Sequence, residues 1–167
     1  DDTNCTPVLS LEGADSHPYV YTSTSFHPGW RAPEGETAEI PIWKIDAVTG
    51  EIVWQVSYDC RTVNGVSGGV QGTIAIGEQG LSDLIFAPVA RYPSTGSGML
   101  VAIDKQTHEV AWEHKMDKYP WSSPVVVYDD AGNGYVIQCN QEGNMYLLDG
   151  LTGEVLDMIN LGGNIEA

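Results

Sequence analysis

Short runs of alternating apolar and polar residues, each closed by a polar turn, make up almost the whole chain. Alternation with a period of two marks half-buried strands, and no helical periodicity persists beyond about two turns. The pattern predicts strands at 7–11, 19–23, 40–45 and 51–57, then at 70–76, 84–90, 99–103 and 109–114. A last set falls at 124–128, 135–139, 145–148 and 154–159. Leu84 to Ala90 is apolar without alternation, which predicts burial on both faces. Residues 12–17 and 77–82 read as turns, and 26–39 as a long loop rich in Pro, Gly and Glu.

One frame recurs within this pattern. Asp46-Ala-Val-Thr-Gly-Glu51, Asp104-Lys-Gln-Thr-His-Glu109 and Asp149-Gly-Leu-Thr-Gly-Glu154 each sit between two strands. The Asp carboxylate suits the amides of a tight turn, and Gly50 and Gly153 suit a left-handed position that His108 tolerates with strain. A Trp stands eight residues after the first two Asp residues, at 54 and 112, where it fills space between one unit and the next; the third copy has Asp157 there. The three Asp residues are 58 and 45 residues apart, and each period holds four predicted strands. Four-stranded units at this spacing indicate propeller blades. The expected fold class is therefore all-β: a β-propeller segment of three four-stranded antiparallel blades at 6–60, 66–116 and 122–161, with 162–167 starting another.

Composition narrows the function classes. With 23 acidic and 7 basic residues the formal charge is −16, which disfavours nucleic acid and anionic membrane surfaces as partners. No window is long enough for a membrane-spanning helix. No export signal is visible, and the start, Asp1-Asp2-Thr3-Asn4, reads like the middle of a longer chain. Cys5, Cys60 and Cys139 match no metal spacing. Cys139 reads as a small core residue, while Cys5 and Cys60 bracket the first unit either as a disulfide or as two thiols.

The frame Ala102-x-Asp104-x-x-Thr107-x-x-x-x-Trp112 resembles the tryptophan-docking repeat of the pyrroloquinoline-quinone (PQQ)-like β-propellers. That family includes quinoprotein alcohol dehydrogenases and the BamB lipoproteins. Trp121-Ser-Ser-Pro124 and Asn144 to Glu154 make the chain look most like secreted or surface members from Gram-positive gut bacteria. Family propellers close with about six to eight blades, so the resemblance implies a piece of a larger ring and an extracellular or cell-envelope location. Remaining blades or a protein partner are then the expected neighbours.

The residues favour a scaffold or binding module over an enzyme. A quinoprotein oxidoreductase is the alternative; it implies PQQ stacked on a Trp, a vicinal disulfide and calcium held by Glu, Asn and Asp. No Cys-Cys pair exists, and none of that set can be matched residue by residue, so no cofactor, catalytic or metal residue is expected. Asp129-Asp-Ala-Gly-Asn-Gly134 is oxygen-rich enough for calcium but reads better as a hairpin turn. His17, His27, His108 and His114 show no ligand spacing. The topology gathers Arg31, Arg61, Arg91, Lys115 and Lys118 with Trp30, His27, Tyr92, Tyr119 and Trp121 on one loop face, mixed with Glu34, Glu36, Glu39, Asp59, Asp117 and Glu142, while Glu12, Glu78, Asp83, Asp129 and other acids collect opposite with Lys105. Aromatic and Arg side chains anchor interfaces, so Trp30, Arg31, Arg61, Arg91, Tyr92, Tyr119 and Trp121 are the expected partner-binding residues. The exposed-loop aromatics also suggest a third reading, a carbohydrate-binding adhesin.

Overall fold

The structure, a computed structural model, describes residues 4–26, 37–61 and 67–165. It is all-β, with three antiparallel leaves taken in chain order. The first has β1 (Val8–Glu12), β2 (His17–Ser23), β4 (Thr37–Asp46) and β5 (Ile52–Arg61), paired in that order. The third has β11 (Val125–Tyr128), β12 (Gly134–Cys139), β13 (Asn144–Asp149) and β14 (Val155–Asn160), again in order. The middle leaf runs β10 (Val110–Met116), β9 (Gly98–Asp104), β8 (Leu84–Ala90), and then an innermost strand split into β6 (Gly68–Val70) and β7 (Ala75–Ile76). β7 touches both β1 and β11, so the three inner edges meet side by side and the outer strands fan away from them.

The strands form where alternation lets one face leave water. Ile40, Ile42 and Lys44 of β4 turn inward, as do Trp54, Tyr58 and Cys60 of β5. β8 is buried at every residue, because its leaf is covered by a neighbour on each side.

Three features depart from the sequence expectation. The strand expected at 70–76 is broken: pairing with β8 shifts between Val70 and Ala75, and the Thr73 N–H goes to Ser123 Oγ at 3.0 Å instead of to the ladder. The turn expected at 77–82 contains a short 3-10 turn, Gln79–Leu81, which plants Leu81 in the core. Glu12, expected in a turn, is the last residue of β1 and is buried.

A two-residue strand, β3 (Ser25–Phe26), joins the first two leaves. Ser23 still pairs with Ile42, but Ser25 pairs with Gly69 of the next leaf. Gly69 sits at φ +102°, and a Cβ there would lie 3.0 Å from Thr24 O and 3.1 Å from Ile40 Cγ2, so glycine is required at the crossing.

All three Asp frames close alike. Each Asp Oδ1 accepts the N–H groups two and three residues on, at 2.7–3.0 Å. Each Thr hydroxyl accepts the N–H of the following Glu, and the residue between takes positive φ: Gly50 +77°, His108 +55°, Gly153 +73°. These bonds favour the ionised carboxylate, and with His17 Nε2 at 2.8 Å from its Oδ2 they hold Asp46 down at about 2.

The frame is also where adjacent leaves meet. Trp54 Nε1 donates to Lys105 O at 3.0 Å, and Trp112 Nε1 donates to Gly150 O at 3.0 Å. Each acceptor follows the Asp of the next leaf's turn. At the first seam Lys105 O also accepts from Lys44 Nζ at 2.9 Å, and Lys44 is paired with Glu12 Oε2 at 2.7 Å. Tyr21 Oη and Gln106 Nε2 donate to the same carboxylate, and Lys44 Nζ lies 4.1 Å from the Tyr19 ring centroid. Every oxygen and proton of this buried pair is well supplied, which offsets its desolvation. The second seam is apolar: Leu84, Phe86, Leu100 and Ala102 pack with Trp112 against Val136 and Leu148.

Candidate functional site: the loop face

The β8–β9 loop and the linker from β10 to β11 bring most of the described candidate residues together. Arg91 is the hub. Its φ of +60° turns the side chain back under the loop, where it is 3% exposed. Its Nε donates to Ser67 O at 3.1 Å and its Nη1 to Thr95 O. The guanidinium carbon lies 4.2 Å from the Tyr119 ring centroid, a cation–π contact in a desolvated setting. The Arg91 carbonyl accepts the Arg61 N–H at 2.9 Å, tying the end of β5 to the same point.

Around this hub the aromatics form two pairs. Tyr119 and Trp121 lie 5.1 Å apart, and Tyr92 meets Tyr58 edge-on at 5.2 Å. The linker is anchored by the Gln141 N–H to Tyr119 O at 3.1 Å, and the loop by Ser97 Oγ donating to Tyr92 O at 3.1 Å. Tyr119 is buried, whereas Arg61, Tyr92 and Trp121 are half-buried. Trp121 Nε1 is enclosed without a partner. Arg91 and Tyr119 therefore act inward, as the frame of the loop face, and Arg61, Tyr92 and Trp121 are the members that reach its surface. Trp30, Arg31 and His27 lie outside the described residues.

The other candidate groups have structural work. Asp129 spends both carboxylate oxygens on the N–H groups of Ala131 and Asn133, the Asn133 amide and the Tyr135 hydroxyl. This is a closed hairpin turn. His114 packs edge-on to Tyr146 at 4.9 Å with Nε2 buried, and burial holds its pKa below the ordinary value. Cys5, Cys60 and Cys139 are free thiols, and burial pushes Cys60 up to about 12, so it is an unreactive core residue. Cys139, expected in the core, is only partly buried. Among the described residues no three His, Cys, Asp or Glu side chains converge. The described thiols are single, and Trp121 faces Tyr119.

The missed element is the Glu12–Lys44–Lys105 cluster at the first seam. Its only sequence signal is Lys44 on the apolar face of a strand, two residues before the frame Asp.

No protein family matches the sequence, and no curated protein does. Solved structures do match. The propeller of Dos1 superposes with a TM-score of 0.60 at 10% identity, over 94% of this chain and 35% of that one. BamB from Moraxella catarrhalis gives 0.56 at 18%, over 97% and 36%. Saccharomyces cerevisiae Sqt1 gives 0.57 at 10%, over 96% and 36%. The fold is a β-propeller sector. The chain spans about a third of the length of each of these structures. Identities this low carry the fold alone. Among the described residues no helix is long and apolar enough to cross a membrane.

Proposed function

We propose that the chain is a non-enzymatic propeller scaffold of the cell envelope or extracellular space, which binds a protein partner through its loop face and is completed by further blades. The observation that carries this is the Arg91 hub. A buried cation stacked on Tyr119 and bonded to loop carbonyls fixes the loop rigidly and leaves the edges of Arg61, Tyr92 and Trp121 at its rim. Rigid aromatic and Arg groups on an ordered base are what an interface needs. Completion by further blades is supported by the two end leaves. Leu9, Leu11 and Val53 are at least half exposed on the first, and Val125, Val127 and Ile159 are exposed on the third. Such apolar sheet faces are covered in stable propellers.

The test is affinity capture from envelope and secreted fractions with the wild-type chain and with the Arg61→Glu, Tyr92→Ala, Trp121→Ala triple variant. The captured partner is then titrated as a purified protein. At least tenfold weaker binding by the triple variant is expected at a temperature where circular dichroism shows both chains folded. Equal binding by the two chains refutes the loop face as the site.

A further inference from the structure

Beside the first seam lies a cleft of about 910 Å³ that the loop-face reading does not use. It is lined by the whole of β1, by β7, and by Glu78, Asp83 and Lys105. Cavities of this size hold ligands of several hundred daltons.

β1 presents an unpaired backbone to it. Leu11 lies opposite Pro18, and the Pro18 carbonyl accepts the Ala47 N–H at 3.1 Å, on the far side of β2. Pro18 thus turns its backbone away from β1. Residues facing each other in this way form a non-bonded pair, so the N–H and C=O of Leu11 also point away from β2. By alternation those of Leu9 do the same. Among the described residues neither takes part in any other hydrogen bond. Across the cleft, the Gly77 N–H donates to Leu84 O, which places Gly77 toward β8 and turns the neighbouring Ile76 backbone outward.

The walls are net acidic: Glu12, Glu78 and Asp83 face one lining cation, Lys105, whose buried ammonium attracts all three. Lys105 is sequestered by Gly77 O at 3.0 Å and Ser82 O at 2.7 Å, and Lys44 is paired with Glu12. Glu78 and Asp83 are exposed and have no ion-pair partner among the described residues.

We propose that this cleft binds an extended basic peptide, which adds as a strand to the free edge of β1 and places Lys or Arg side chains against Glu78 and Asp83. Main-chain bonds to Leu9 and Leu11 supply affinity, as in other strand additions, and the two carboxylates supply selectivity for cations. The site is separate from the loop face, so either stands without the other.

The probe is a fluorescein-labelled acetyl-(Val-Lys)3-amide peptide, followed by anisotropy at low salt. Saturable binding is expected. N-methylation of the amides on one edge of the peptide should weaken it at least tenfold, while methylation on the other edge has little effect. Leu9→Pro should weaken it similarly, since that N–H lies outside the β1–β2 ladder and proline is tolerated on a sheet edge. Glu78→Lys with Asp83→Lys alters only exposed side chains and should also weaken binding at least tenfold, and an acetyl-(Val-Glu)3-amide peptide should not bind. The loop-face triple variant should bind like wild type. No saturable binding overturns the proposal. So does binding that is indifferent to N-methylation and Leu9→Pro, or equal for the Lys and Glu peptides.

Discussion

The two seams between leaves share one bond and little else. In both, an indole N–H reaches the carbonyl that follows an Asp, at 3.0 Å. At the first seam that carbonyl is held from below by a buried ammonium, and the ring of Trp54 lies 6.3 Å from His108. At the second the acceptor is Gly150, and a Cβ on Gly153 would come within 2.6 Å of the Trp112 ring. One seam is specified by charge and the other by the absence of side chains. The shared bond sets the spacing of the leaves, and the surroundings decide which perturbation opens each seam.

The strongest way to break the symmetry is Lys44→Met. It leaves Glu12 buried without its counter-ion, and a loss of about 3–5 kcal/mol is expected in urea unfolding. Adding Glu12→Leu should recover most of that loss, because an apolar pair of similar volume removes the orphaned charge. Failure of the double variant to recover would show that Lys44 acts chiefly through Lys105 O.

A smaller effect belongs to the other seam. Gly153→Ala must move the Trp112 ring and also strains a backbone at φ +73°, so a loss of about 1–3 kcal/mol is expected from the same measurement. The equivalent Gly50→Ala meets nothing within 4 Å and should cost only the backbone term, about 1 kcal/mol. Equal losses at the two glycines would mean that the indole contact contributes nothing.

The smallest effect is titration of the second seam. His114 faces Tyr146 of β13 and lies opposite Leu100 of β9, and Glu113 and Lys115 beside it fall on the other side of the strand. Burial depresses its pKa, so the unfolded chain takes up the proton first as pH falls through about 6.5. Its contribution is therefore full above that pH and declines below it. The melting temperature of His114→Phe should fall less between pH 7 and pH 5 than that of the wild type, by about 2 °C. Identical slopes would remove His114 from the pH response.

The turns were legible because their chemistry is local. Asp, Thr and a left-handed residue stand at fixed spacing, and the bonds that close each loop fall within six residues. The leaves followed from alternation, and the burial of β8 from its absence. What stayed hidden depends on contacts far apart in sequence. Glu12 and Lys44 look like surface charges until the fold brings them together from 32 positions apart. Arg91 looks like a loop cation, but a positive φ and the carbonyls of Ser67 and Thr95 draw it inside. The break in the inner strand of the middle leaf is also non-local, because Ser123 captures the Thr73 amide from the next leaf.

The crossing at β3 bears on how such a chain is inherited and rebuilt. Two residues carried by one leaf complete the edge of the next, so the boundaries of the folded unit and of the repeated text do not coincide. Excising or grafting the middle repeat alone would strip Gly68 and Gly69 of their pairing with Phe26 and Ser25, and a transplant must therefore carry those two residues along with it.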